Sequence, residues 1–250
     1  MENLLEEFAS KPVSFLHLGQ LRLFGLDVGV NEAVLTMWLA VFLVSVIVIY
    51  AGRGRGLVAG GFKGAVEAVL EFIRKDIVLE NIGHEGMYWY PFITALFLFI
   101  WFSNLVSLTP GIQGATSNIN TTATLAVIVF LAVVVQGIVK KGPIKYWLSL
   151  VPKGVPAWLA PVLFVIELIS LLAKPFSLAL RLFANMFAGH VVLAVFLSLI
   201  FFFGSYAVAP APLLLNIMMR LLEVLFGSIQ AYIFAMFATM YIAASIHDEH

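Results

Sequence analysis

The sequence predicts an all-α membrane protein: five membrane-crossing helices plus one amphipathic surface helix, the last two crossings long and steeply tilted as a hairpin. Three observations carry that expectation. Of the 250 residues, 62% are hydrophobic and only 11% charged, whereas a soluble domain has about a quarter charged residues and at most about half apolar ones. The mean hydropathy is +1.04. The apolar residues also gather in long uncharged runs with short polar or basic breaks. Such a chain cannot clothe itself in polar groups, and in a bilayer the backbone must satisfy its own hydrogen bonds as helix.

Residues 1–30 are expected outside the membrane, and 31–250 form one integral membrane domain. Glu2, Glu6 and Glu7 make the start acidic, the opposite of a signal peptide's basic region, so the first apolar run is expected to stay as an anchor. The first span, 31–51, contains the uncharged run Ala33–Ala51, and about 20 residues cross the hydrocarbon core. Over 57–80, Phe62, Val66, Val69, Ile73 and Ile77 recur at helical spacing with Lys63, Glu67, Glu71 and Arg74 between them. That pattern suits a helix lying on the membrane surface. From Gly86 to Val139 no residue is formally charged. Pro110, Gly111 and the following Ser/Asn/Thr cluster cut this stretch into spans at 87–108 and 119–139. Lys140, Lys141, Lys145 and Lys153 form a basic connector. Two tilted spans, 157–203 and 211–246, complete the chain around GSYAVAPAP at Gly204–Pro212.

Arg53, Arg55, Lys63, Arg74 and Lys75 share one side with the connector lysines, while the other side holds only Lys11 and Arg22. The positive-inside rule then puts the N-terminus outside and the C-terminus in the cytoplasm. A helix from Pro161 to Phe202 would be about 63 Å long, against a core about 30 Å thick. It must tilt, kink at Pro175, or break into two re-entrant helices; tilt is the expectation, because the next segment is similarly long.

Ionisable groups inside these last two segments are costly, about 2.5–3.5 kcal/mol for a charge at a helix centre. Glu167, Lys174 and Arg181 are spaced by seven, with Ser170, Ser177 and Asn185 near the same stripe. His190 falls on the other side of that helix. On the final segment Asn216, Glu223 and Gln230 are again spaced by seven, with Arg220 close to their face. With a turn centred near residue 208, equal rise puts His190 level with about residue 226 and Arg181 with about residue 235. An acid and an imidazole near one depth suggest a proton relay. Glu167 and Lys174 also read as a structural pair or as snorkelling side chains, Arg220 as the neutraliser of Glu223, and Asn216 and Gln230 as interhelical glue. Arg181 cannot lose its proton and has no acid one turn away on its own helix, so its partner is expected on another helix or chain.

The run ELISLLAKPFSLALRLFANMFAGH at Glu167–His190 resembles the signature of subunit a of rotary F-type ATP synthases. SNLVSLTPG at Ser103–Gly111, NINTTATLA at Asn118–Ala126 and IQAYIFAMFATMYI at Ile229–Ile242 agree with it in the same order. The resemblance implies a stator wall of two offset half-channels against a ring of subunit c, coupling ion flow to ring rotation and ATP synthesis. Implied partners are the subunit c ring, the subunit b peripheral stalk, the remaining ATP synthase subunits and the bilayer of the cell's inner (plasma) membrane. It matches Arg181 to the arginine that separates the channels; His190, Glu223, Asn185 and Gln230 to the outer channel; and Glu167 to the cytoplasmic exit. Ser170, Lys174, Ser177, Asn216, Arg220 and Asn118 are accessory candidates. Many relatives carry an acid where Asn118 stands, and Arg220 has no counterpart in the pattern.

Balanced charge, 14 basic against 14 acidic residues, argues against a nucleic-acid partner, and the absence of cysteine excludes disulfides and thiolate chemistry. No phosphate-binding G-x-x-x-x-G-K-[ST] loop is present, so nucleotide chemistry is expected elsewhere in the complex, with no cofactor or metal here. Protons are the default ion. A stand-alone transporter would show a repeat and a site among broken helices; a membrane anchor would scatter its polar residues.

Overall fold

A computed structural model describes residues 22–23, 26–27, 32–52, 61–109, 114–151, 155–156, 158–203 and 210–246. The fold class is the one expected, all-α, with one minor addition: strands β1 (Arg22–Leu23) and β2 (Leu26–Asp27) form a short antiparallel pair. The helices are α1 (Glu32–Gly52), α2 (Phe62–Phe72), α3 (Glu80–Ile82), α4 (Tyr90–Ser107), α5 (Ile119–Lys141), α6 (Pro143–Leu148), α7 (Ala160–Phe203) and α8 (Pro210–Ile246).

Among the described residues, five helical stretches are long and apolar enough to cross a membrane: Glu32–Tyr50, Gly86–Ser107, Ile119–Lys141, Ala160–Phe196 and Pro212–Ile246. Hydroxyls inside them back-bond to their own helix, as Thr36 does to Ala33 O at 2.9 Å and Ser45 to Val41 O at 2.7 Å. That meets their donors in an apolar setting, whereas Thr94 Oγ1 and Ser103 Oγ, inside the second stretch, are buried without a partner among the described residues. Helix α7 runs unbroken for 44 residues with Pro175 inside it, which removes the re-entrant alternative. At 1.5 Å per residue it is about 66 Å long and cannot stand upright in a core about 30 Å thick.

The chain divides into two compact units: Met1–Gly56, Leu98–Thr121 and Leu182–Ala231 form the first, and Leu57–Phe97, Thr122–Arg181 and Tyr232–His250 the second. In the first, Asn104 of α4 donates to Gly227 O of α8 at 2.8 Å and accepts from Thr116 Oγ1 at 2.8 Å. Trp101 donates to Ser228 Oγ at 2.9 Å. A Cβ on Gly227 would lie 3.2 Å from Asn104 Cβ, so the glycine admits the close approach that the amide bond needs.

In the second unit the surface segment departs from a plain α-helix. Between α2 and α3, Ile73–Leu79 is π-helical, and Glu80 N–H bonds Lys75 O. Ile73, Ile77, Val78 and Ile82 are buried, while Phe62 and Phe72 stay exposed. Lys75 Nζ sits 2.8 Å from Glu71, and that hydrogen bond holds the Glu71 carboxyl below its ordinary range. Gly142, at φ +85°, ends α5, and Pro143 opens α6. Tyr146 of α6 is buried beneath Gly137, where a Cβ would stand 2.1 Å from its ring.

Candidate functional site

The first unit brings most of the singled-out polar residues of α7 and α8 together. The two helices run antiparallel there: Asn216 Nδ2 donates to Leu193 O at 3.3 Å, and Asn185 Nδ2 to Phe226 O at 3.4 Å. Between these contacts Glu223 lies against Gly189, where a Cβ would come within 2.7 Å of Glu223 Oε1. The register therefore differs from the expected one by about a turn, since Phe226 faces Asn185 rather than His190. The shift brings the neighbour of His190 onto Glu223.

Glu223 is 6% exposed, and neither of its oxygens has a hydrogen-bond partner among the described residues. His190 Nε2 and Gln230 Nε2 are likewise buried and unpartnered among the described residues. A buried polar atom left unmet costs about 1–3 kcal/mol. Beside Glu223 is a cavity of about 230 Å³ lined by Asn185, Met186, Gly189, Leu193 and Met219 among others, with room for several waters. Glu223 and Asn185 line this space, and His190 and Gln230 do not; a carboxylate beside a fillable space is a group that can exchange a proton with water.

Arg220 does not neutralise Glu223 by contact, which corrects the simplest sequence reading. Its Nε donates to Asn216 Oδ1 at 3.2 Å and its Nη1 to the carbonyl of Leu108. Asn216 thus bonds both Leu193 and Arg220 and does more than join two helices. Asn118 accepts from Asn120 N–H at 2.9 Å and caps the start of α5.

The second unit holds the other stripe. The Arg181 guanidinium, on an exposed side chain, lies 4.9 Å from the Phe237 ring centroid, and Lys174 Nζ lies 5.6 Å from that of Tyr241. Phe237 and Tyr241 stack on each other at 5.9 Å. The partner of Arg181 among the described residues of this unit is therefore an aromatic face on another helix, worth about 0.5–2 kcal/mol, and not an acid. Lys174 and Glu167 make no ion pair among the described residues, so the structural-pair reading falls. Glu167 and Ser170 are half-buried and Ser177 exposed.

Asn104, Trp101 and Thr116 were missed. Asn104 carries a signal in the sequence, because an amide inside an apolar span must find partners; it lies outside the last two segments, where the charged stripes run.

A family model described as ATP synthase A chain matches residues 34–243. The chain belongs to the ATP synthase subunit a family. The ATP synthase subunit a of Afipia carboxidovorans is 36% identical over 100% of this chain and 100% of its own length. That of Azorhizobium caulinodans is 39% identical over 92% and 93%, and that of Chloroherpeton thalassium 34% identical over 98% and 75%. Membership in the subunit a family makes the chain a multi-pass, proton-translocating component of the ATP synthase membrane sector, assembled with other subunits of that complex.

Proposed function

We propose that the chain is the stator wall of the proton path. It forms two offset half-channels against the subunit c ring and couples proton flow to ring rotation and ATP synthesis. The observation that carries the reading is Arg181: an exposed cation in an apolar helix, resting on the Phe237 ring with no acid of its own unit bonded to it among the described residues. A cation held this way is available to a carboxylate brought from outside. It favours the charged form of that carboxylate where the proton must leave, while lipid elsewhere favours the neutral form. The membrane potential supplies about 2.3 kcal/mol per charge per 100 mV.

In this reading His190, Glu223, Asn185 and Gln230 line the outer half-channel, and Glu167 with Ser170 and Ser177 the cytoplasmic one. Lys174 stands between Glu167 and Arg181 on the same stripe. The N-terminus is outside and the C-terminus cytoplasmic, with Phe62–Leu79 on the cytoplasmic surface, and the subunit b peripheral stalk is a partner of the chain. Asn118 keeps to its capping role.

The test is Arg181→Ala in the assembled complex reconstituted into vesicles. ATP-driven pumping is expected to fall to background and passive proton leak to rise, because nothing then keeps the half-channels apart. Arg181→Lys is expected to recover little, since an ammonium loses its proton on burial and lacks the guanidinium fork. Normal coupled pumping by an assembled Arg181→Ala complex overturns the reading.

A further inference from the structure

We infer that Arg220 is a positioning residue for proton uptake at Glu223, a cation pinned beside the carboxylate without occupying its oxygens. The inference rests on the proposed role of Glu223 and adds a residue that the family pattern leaves unassigned. Three observations carry it. Arg220 precedes Glu223 by three residues on α8, a spacing that makes helical neighbours, with Cβ atoms about 5–6 Å apart. Its donors are directed elsewhere, Nε to Asn216 Oδ1 at 3.2 Å and Nη1 to the Leu108 carbonyl. Both oxygens of Glu223 remain buried and unpartnered among the described residues.

The pins are chemically apt. Leu108 follows the last residue of α4, Ser107, where helix carbonyls lack helical donors and the helix dipole favours a cation. Asn216 turns its oxygen to Arg220 and its amide to Leu193 O at 3.3 Å, so Arg220 and Asn216 together tie the end of α4, α7 and α8 within the first unit. A direct ion pair would fill the lone pairs that a water chain needs. A pinned neighbouring charge supports the carboxylate's ionised form and leaves those lone pairs free. The Leu98–Ser107 part of α4 carries no ionisable residue, and the ionisable neighbours of Glu223 that α7 and α8 supply among the described residues of this unit are His190 and Arg220.

The experiment is a double-mutant cycle on ATP-driven proton pumping by the whole complex in vesicles, with the amount of assembled complex measured for each variant. Arg220→Gln is expected to slow pumping about tenfold when Glu223 is present, but less than about twofold in a Glu223→Gln background, because its effect passes through that carboxylate. Equal fold-losses in both backgrounds mean that Arg220 only braces the helices, and overturn the inference. Should Arg220→Gln fail to assemble, Arg220→Lys takes its place in the cycle. It keeps the charge but loses the fork, so a smaller loss that disappears with Glu223→Gln is expected, and a loss that persists unchanged is fatal. If Glu223→Gln alone leaves pumping intact, the proposed role of Glu223 fails and takes this inference with it. If Glu223→Gln slows pumping and the cycle is additive, only the inference fails.

Discussion

At the scale of single residues, two kinds of buried or half-buried polar group differ in how they are held. Asn104 and Asn216 donate to carbonyls of neighbouring helices, and Arg220 donates to Asn216 on its own helix and to the Leu108 carbonyl, which fixes them. Glu223, His190 and Gln230 keep unpartnered atoms among the described residues, the state expected of groups that exchange partners with water. If His190 and Glu223 share one water-filled path, their chemistry should matter more than their order. His190→Glu combined with Glu223→His is therefore expected to pump faster than the two single losses predict by addition, while neither single variant leaks. The check is the pumping rate of all four members of the cycle at matched assembly; strict additivity would show that the two groups act apart. The sequence disclosed which residues were anomalous, because a charge in an apolar run is visible by spacing alone. It could not disclose what each one touches. The ring beneath Arg181 and the carbonyl beyond Arg220 are tertiary facts, and hydrogen-bond partners leave no periodicity.

Between helices, two glycines illustrate how the neighbour decides the cost of a methyl group. At Gly189 the obstruction is Glu223 Oε1 at 2.7 Å, the far end of a flexible side chain that can swing aside. Gly189→Ala is expected to fold and assemble normally yet slow proton uptake several-fold, read as pumping rate against complex abundance, because the carboxylate loses its place. At Gly137 the obstruction is the Tyr146 ring at 2.1 Å, buried and unable to yield. Gly137→Ala is expected to cost about 1–3 kcal/mol, seen as a lower melting temperature in detergent, and Tyr146→Ala should relieve it. An unchanged melting temperature counts against the contact. The type and order of the elements were legible because 20-residue apolar runs leave the backbone one solution. The interhelical register was legible only to within a turn, since a hairpin count assumes a turn centre that the sequence does not mark.

For the molecule as a whole, the distribution of lysine and arginine makes a statement about sidedness that a labelling experiment can check. Thr109 and Lys145 are both exposed, and the positive-inside reading puts them on opposite faces of the membrane. A cysteine at Thr109 should react with an impermeant maleimide added to intact cells, and one at Lys145 only after the membrane is opened. Labelling of Lys145→Cys from outside reverses the orientation. Family and fold class were both legible from the chain alone, the first from ordered motifs and the second from composition. The wide turn within the surface segment was not, because Ile73 and Ile77 fit an ordinary helix as well as a π-helix. That turn has a consequence for length variation. A π-helical turn accommodates one residue more than the regular helix around it. Deleting a single residue between Ile73 and Leu79 would therefore restore even winding and leave the faces of the flanking stretches aligned as they are, whereas the same deletion in a regular turn would swivel one stretch by about 100° against the other. Chain length at this point has slack: one residue more or less is taken up by the turn, and the same side chains on either side of it keep facing the same way.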